Sequence, residues 1–180
     1  MREKDKVLIA PVTGYSPHIG VLIDTMQCCR SKTLEWIQDL TSYQLDFLYD
    51  EKANSIGALL LHLCALEVAV QEYTFQGIPL ENPEWQQKWG VAMYLGERAR
   101  LEIRGYPVQY YIEKMEQVRS LTLDHMQQCS DEWLWRESPW FSRLANNYWM
   151  WYHVYEDEIN HRGEISWLKS RIPVTAPKAE

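Results

Sequence analysis

Residues 55–77 read SIGALLLHLCALEVAVQEYTFQG, and most of this stretch is apolar. Its apolar residues recur at intervals of three and four, which predicts a helix and not a strand. The helix is expected to begin after Ser55 and to end at Gly77, with Pro79 beyond it, since these residue types commonly mark helix boundaries. It is apolar on most sides and carries a single histidine, His62, so it belongs in the interior of a helical fold.

Three further segments show the same helical spacing, and none shows the alternation typical of a strand. One begins at Pro17 with Ser16 as its N-cap, and another begins after Tyr106 at Pro107. The last follows the turn ESPWFSR and spans roughly residues 144–171, because Pro173 disfavours its continuation. Four long helices joined by one short, one long and one medium connection predict an all-α fold, a four-helix bundle.

The long connection, residues 78–105, is expected to be irregular apart from one short extra helix that carries Trp85 and Trp89. It is expected to cover one end of the bundle. The length of 180 residues fits a single domain over residues 1–180, with a core over about residues 16–172 and a loose C-terminal tail.

Composition and charge exclude some classes of partner. The formal net charge is -7 and the 18 basic residues are scattered, which argues against nucleic acid. There is neither a charge-free apolar run of about 18 residues nor a signal-peptide pattern, so we expect a cytoplasmic protein with no membrane partner. Nine Trp and eleven Tyr indicate a bulky core with a cleft or an interface. The four cysteines have no CxxC spacing and are expected to be packing thiols.

The last predicted helix contains YHVYEDEINHRGEI, residues 152–165, with His153, Asp157 and His161 at four-residue intervals. At about 100° per residue, Asp157 and His161 lie in the middle of the apolar stripe of this helix, and His153 lies on its flank. The three polar side chains are therefore not equivalent.

His62 faces the interior on the second long helix, because apolar residues occupy the surrounding sector of about 60° on either side. Three nearby alanines leave room beside the imidazole ring. An ionised carboxylate in a bundle core needs a compensating charge, which a divalent cation supplies. Ligands at positions i and i+4 of a helix can both reach one ion, and a facing helix can add a third. The candidate metal ligands are His62, Asp157 and His161.

Other interpretations of these three residues remain open. His62 could be a hydrogen-bonded core histidine, and Asp157 could pair with a buried arginine or histidine. The whole cluster could also be a buried hydrogen-bond network in a homodimer.

The remaining polar residues of the inward faces have less definite roles. His125 lies on the apolar stripe of the third long helix and is expected to be a core or pocket residue. His153 is expected to lie in a pocket or to support the ligands. Glu156, Glu158 and Glu164 are expected on the solvated side of the last helix, although Glu164 is close enough to the site to be a reserve ligand.

Two segments, DEKANSIGALLLHLCALEV (50–68) and WMWYHVYEDEINHRGEISWL (149–168), carry a family resemblance. Over nearly its full length the chain resembles the DinB-like superfamily of metal-binding four-helix bundles. The second segment is the more specific, because the family pattern there resembles HxxEHEIHHRGQI followed by an apolar run. The resemblance implies a divalent metal held by one histidine of the second helix and two histidines, four residues apart, of the fourth.

Mapped onto this sequence, the ligand of the second helix is His62 and the last ligand is His161. The remaining ligand position holds Asp157 instead of histidine, and Asn160 replaces a frequent histidine that is not a ligand. Two histidines and one carboxylate form a harder set than three histidines, which favours Zn(II), Ni(II), Fe(II) or Mn(II). The extra negative charge also makes a bound water less acidic.

The resemblance implies an enzyme acting on a small molecule. Members of the superfamily include S-transferases that use low-molecular-weight thiols and related isomerases, and many others are described only as metal-dependent hydrolases. A metal-dependent hydrolase or thiol S-transferase is therefore the first hypothesis. The alternative is a non-catalytic, stress-associated binding or structural protein whose metal site has degenerated at Asp157. The aromatic surplus and the habits of the superfamily also favour a homodimer.

Overall fold

A computed structural model describes residues 8–80 and 82–173 of the chain. Over these residues the structure contains four long helices, α1 (Pro17–Ile37), α3 (Ile56–Gln76), α6 (Val108–Met126) and α8 (Asn147–Lys169). The shorter elements are the helices α2 (Ser42–Leu45), α4 (Pro83–Tyr94), α5 (Gly96–Glu102) and α7 (Asp131–Leu134) and the strands β1 (Glu137–Trp140) and β2 (Arg143–Asn146). The predicted all-α bundle is confirmed. The predicted loose tail lies outside the described residues.

Local sequence explains where the central helix α3 begins and ends. The Ser55 hydroxyl accepts a hydrogen bond from the Ala58 N–H at 3.2 Å, which caps the first turn. Gly77 ends the helix with φ 68°, a left-handed conformation that glycine adopts without steric cost. By length and composition α3 could cross a membrane, but 78% of its most apolar window is buried inside the protein. Its apolar surface is covered by α4, α6 and α8, which all pack against it.

Two connections differ from the sequence-based prediction. The segment between α3 and α6 forms two helices, α4 and α5, instead of one short helix. Leu95 and Gly96 separate them with φ values of 53° and 73°, which break the helical path. The ESPWFSR segment forms an antiparallel hairpin, in which Glu137 pairs with Asn146 and Trp140 with Arg143. The Tyr73 hydroxyl donates a hydrogen bond to the Pro139 carbonyl and ties the hairpin to α3.

A cluster of buried ions crosses the centre of the bundle, and each long helix contributes one residue to it. Arg30 of α1 donates to Glu158 of α8 at 2.9 Å and to Glu67 of α3 at 3.0 Å. Arg119 of α6 donates to Glu67 at 2.7 Å and lies 3.6 Å from Glu158. The prediction that Glu158 faces solvent is therefore wrong, since only 1% of its side chain is exposed. The two arginines supply the charge that a buried glutamate requires.

The buried ions lie between two apolar halves of the core. Among the described residues, the apolar side chains form one cluster around Ile37, Leu59 and Leu168 and a second around Ile23, Val70 and Met150. All four long helices have residues on both sides of the ionic layer. A free thiol, Cys64, is buried beside this layer, and burial raises its pKa to about 12.

Candidate metal centre

Packing of α8 against α3 brings His62, Asp157 and His161 together. Asp157 Oδ2 lies 3.3 Å from His62 Nε2 and 3.6 Å from His161 Nε2. The imidazole rings of the two histidines meet edge to face, with centroids 4.9 Å apart. His62, predicted from the helical periodicity to face Asp157 and His161 from the second long helix, therefore does so.

The backbone of α4 fixes the orientation of His62. His62 Nδ1 lies 2.9 Å from the Met93 carbonyl oxygen and 3.3 Å from that of Ala92. A carbonyl oxygen only accepts, so Nδ1 must carry the ring proton. In the neutral ring Nε2 then presents a lone pair toward Asp157.

A carboxylate performs the same task for His161. His161 Nδ1 lies 3.0 Å from Glu164 Oε2, one turn further along α8. The carboxylate is an acceptor, so Nδ1 donates to it and Nε2 is left with a free lone pair. Such a carboxylate–histidine pair commonly orients metal-binding imidazoles. Glu164, which the sequence suggests as a reserve ligand, therefore contacts the Nδ1 side of the His161 ring and not the Nε2 side that faces Asp157.

Three electron-pair donors thus converge on one point. With both rings neutral, the two Nε2 atoms and Asp157 Oδ2 face one another with no proton between them. Among the described residues, none forms a hydrogen bond of normal geometry with Asp157 Oδ2, although this atom is buried. Converging lone pairs repel one another unless a cation or a proton separates them. This donor set fits a divalent metal.

The dimensions of the cluster agree with that fit. The three donor atoms lie within 4.8 Å of one another. Ligands of a tetrahedral ion at about 2.0–2.1 Å are themselves about 3.3 Å apart, close to the two distances from Asp157 Oδ2. The three side chains are 14–18% exposed, so the cluster is largely buried but not closed off from solvent.

The contacts among these side chains also shift the pKa values of Asp157 and His161. Burial raises the pKa of Asp157, but the hydrogen bond that His62 donates when its Nε2 carries a proton, together with the positive charges of protonated His161 and His62, outweighs this effect and brings the pKa below the ordinary value. Burial lowers the pKa of His161, but the Glu164 hydrogen bond and the Asp157 charge outweigh it and raise the pKa above the ordinary value. Asp157 is therefore a carboxylate at neutral pH.

Other predicted site residues occupy different surroundings. His153, one turn before Asp157, stacks on Trp149 with ring centroids 5.4 Å apart and lies in a pocket. His125 is exposed and stacks on Phe75, so it is not a core residue. Phe75 stands 13 residues after His62 on α3, about 20 Å along the helix axis, which separates His125 from the three candidate ligands.

One group that orients a candidate ligand could not be predicted from the sequence. The Met93 carbonyl that orients His62 is a backbone group in a connection for which the sequence predicts little regular structure. No residue type marks such a carbonyl, and only the packing of α4 against α3 brings it to the imidazole ring.

Comparison with known proteins is consistent with this geometry. A family model described as mycothiol-S-transferase matches residues 21–173. No curated protein sequence gives a significant match.

Two solved structures resemble the fold. A DinB-like protein from Bacillus cereus ATCC 10987 has 15% sequence identity and a TM-score of 0.65, with 89% of this chain and 96% of that chain covered. An uncharacterised protein from Escherichia coli UTI89 has 14% identity and a TM-score of 0.61, with 88% and 96% covered. The family match and these structures confirm the predicted resemblance to the DinB-like superfamily.

Proposed function

The chain belongs to the mycothiol-S-transferase family, and we therefore propose that it is a metal-dependent enzyme that joins a low-molecular-weight thiol to a small electrophile. The proposed metal ligands are His62, Asp157 and His161. The thiol named by the family is mycothiol, and we propose it as the first candidate substrate for this chain.

One observation carries the proposal. The Nε2 atoms of His62 and His161 and the carboxylate of Asp157 converge, while both Nδ1 atoms have acceptors of their own. A buried network without a metal would have to place a proton among the three donors. A metal with three protein ligands would instead keep a coordination position for a substrate thiol.

The proposed reaction depends on the positive charge of the metal. A divalent metal at this site would supply the positive charge that keeps a coordinated thiol deprotonated near neutral pH. The thiol would release its proton to solvent when it binds; its sulfur would then form a bond to the electrophilic carbon, and the leaving group would depart with the electrons of the bond that breaks. Within the protein, Met93 and Glu164 hold the two imidazole rings in place.

Asp157 favours thiol transfer over hydrolysis. Its carboxylate lowers the net positive charge of the site compared with three histidines, so a bound water is less readily converted to hydroxide. A thiol is several pKa units more acidic than water and is less affected by this loss of charge. We propose Zn, Ni, Fe or Mn as the metal, since two histidines and a carboxylate suit these ions.

The proposal is tested with protein purified without a histidine tag. Elemental analysis should find about one transition metal per chain, and the metal-loaded protein should conjugate mycothiol, bacillithiol or glutathione to a model electrophile. His161→Ala should lose both metal and conjugation, while the matched variant His125→Ala, an exposed histidine outside the site, should keep both. Equal conjugation rates in the two variants would contradict the proposal, and a metal-free wild type would favour the non-catalytic alternative.

We further propose that the protein is a cytoplasmic homodimer that acts on small molecules, without a nucleic-acid or membrane partner. The exposed apolar side chains of Trp135, Phe141 and Leu144, which are 51%, 73% and 70% exposed, support an interface near the hairpin. Sedimentation velocity over a range of concentrations should show a dimer. A monomer at all concentrations would contradict this part of the proposal.

A further inference from the structure

Helix α4 is attached to the central helix α3 at both of its ends. At its start, the N-cap residue Asn82 donates a hydrogen bond from its side-chain amide to Glu72 of α3 at 3.0 Å. At its end, the backbone carbonyls of Ala92 and Met93 face Nδ1 of His62 on α3. Helix α4 therefore runs antiparallel to α3, with a side-chain contact at each end.

The two contacts are separated by similar lengths of helix. Glu72 follows His62 by ten residues, about 15 Å along α3. Met93 follows Asn82 by eleven residues, about 16 Å along α4. Helix α4 must therefore end close to Met93, because a longer helix would carry its free carbonyls past the imidazole ring of His62.

The carbonyls that face His62 are free because the helix stops. In a continuous helix, the carbonyl of Ala92 would accept a hydrogen bond from the N–H of Gly96. The carbonyl of Met93 would likewise accept one from the N–H of Glu97. The structure instead starts a new helix at Gly96, so both carbonyls belong to the last turn of α4, where carbonyls have no partner within the helix. The His62 ring supplies their donor, as histidine side chains near helix ends commonly do.

The break between α4 and α5 lies in the backbone of Leu95 and Gly96. Their φ values are 53° and 73°. Glycine adopts such a conformation without steric cost, but leucine rarely does. Leu95 packs against the apolar cluster around Leu59, and this packing holds it in place. Unusual backbone conformations persist where the surrounding structure fixes them, and they are frequent beside functional sites.

We propose that the break at Leu95 and Gly96 is a positioning element of the metal centre. It ends α4 where two free carbonyls hold the Nδ1 proton of His62, and this keeps Nε2 directed at Asp157. Metal affinity then depends on the connection between α4 and α5, although neither Leu95 nor Gly96 is a ligand. That the oriented imidazole serves a metal rests on the proposed function, whereas its contact with α4 does not.

Gly96 and Gly105 form a matched pair of positions for the test. Their φ values are 73° and 80°, and among the described residues an added Cβ at either would meet nothing within 4 Å beyond its own stretch of chain. Gly96→Ala disfavours the break, because alanine prefers the right-handed helix and lets α4 continue. Gly105→Ala places the same strain at a residue whose N–H bonds to Asp46. Leu95→Gly keeps the break, since glycine accepts a positive φ.

Two measurements on metal-free protein separate the contact from the affinity. NMR of the imidazole N–H protons measures their exchange with solvent, and the His62 signal is assigned by its absence from His62→Gln. Gly96→Ala should speed the exchange of this proton at least about tenfold and weaken Zn(II) binding about 10–100-fold, the effect expected when a ligand histidine loses its outer partner. Leu95→Gly and Gly105→Ala should leave both quantities within about threefold, because the break persists in both.

Three results would overturn the proposal. These are a His62 proton in the wild type that exchanges as freely as in Gly96→Ala, equal effects of the two glycine variants, and a loss of affinity in Leu95→Gly as large as in Gly96→Ala. The last result would mean that the leucine side chain, and not the break, holds His62. If exchange changes as expected but the wild type binds no metal, the positioning of His62 by α4 stands and the proposed metal centre fails.

Discussion

Asp157 contributes a carboxylate at the position where the DinB-like pattern that the chain resembles has a histidine. The substitution adds a negative charge to the candidate site, and the side chain still faces His62 and His161. Its Oδ2 atom lies within 3.6 Å of both Nε2 atoms, and its pKa is lower than usual. The residue thus supplies the negative charge toward which two oriented imidazoles point. Around this centre, Glu164 and the Met93 carbonyl fix the rings.

Glu164→Ala is expected to weaken metal binding about 10–100-fold, because His161 loses the acceptor that fixes its Nδ1 proton and ring orientation. Titration of metal-free protein with Zn(II) or Ni(II) measures the affinity. Glu156→Ala is the matched control, since Glu156 lies 3.4 Å from His153 at the same i, i+3 spacing on the same helix. An equal loss of affinity in both variants would remove the assigned role of Glu164.

A helical wheel suffices to predict that His62, Asp157 and His161 face one another, because their helices pack face to face. That they bind a metal stays a prediction. The wheel fails for Glu158, since α8 packs against α1 as well as α3 and buries a wider sector than its apolar stripe. The arginines that satisfy Glu158 lie on other helices, and no pattern within α8 indicates them.

At the scale of elements, the four long helices are joined at mid-height by the buried layer of Arg30, Glu67, Arg119 and Glu158. The two arginines also donate to backbone carbonyls of neighbouring helices, Arg30 to Met115 at 2.9 Å and Arg119 to Met26 at 3.0 Å. These bonds fix the register of the helices as well as the charges.

Glu67→Gln is expected to lower the free energy of unfolding by about 3–5 kcal/mol, because it leaves two buried arginines short of negative charge. Urea denaturation at neutral pH measures the change. Glu102→Gln serves as control, since Glu102 forms an exposed pair with Arg98 and its loss should cost at most about 0.5 kcal/mol. Similar losses in the two variants would show that the ionic layer does not stabilise the fold.

The stability of the fold is expected to depend on pH through Glu67. Burial raises the pKa of Glu67, but the charges of Arg119 and Arg30 and their hydrogen bonds outweigh it and lower the pKa to about 2. A depressed pKa stabilises the fold above the ordinary pKa of about 4.5, and this contribution is lost as pH falls toward 2.

Between pH 7 and pH 3 the wild type should therefore lose roughly 2 kcal/mol more of its free energy of unfolding than Glu67→Gln does. Urea denaturation of both proteins at the two pH values measures this difference. Parallel losses would mean that Glu67 has an ordinary pKa in the folded protein.

The elements themselves were predictable to different degrees. Long periodic segments with clear boundary residues, such as Ser55 and Gly77, predict the helices of the bundle. Strands of four residues are too short to show alternation, so the hairpin is missed. The division of the long connection into α4 and α5 depends on the backbone at Leu95, and leucine is not a residue type that signals a positive φ.

For the whole molecule, the two apolar halves share every long helix, so neither half can lose its packing without exposing the other. We predict a single cooperative unfolding transition, as expected of one domain, with fluorescence and far-UV circular dichroism giving the same midpoint. Two separated transitions would show that the halves unfold independently and would contradict the single-domain prediction.

Added metal should raise the midpoint of unfolding, because an ion that binds only the folded state stabilises it.

The proposed reaction requires that His62, Asp157 and His161 hold a divalent metal at which a thiol is activated. The most direct test is a crystal structure of metal-loaded protein with anomalous diffraction recorded at the absorption edge of the metal. We predict one anomalous peak per chain, at about 2.0–2.2 Å from both Nε2 atoms and from a carboxylate oxygen of Asp157. A metal-loaded crystal with no peak between these side chains, or with the peak at other residues, would contradict the claim.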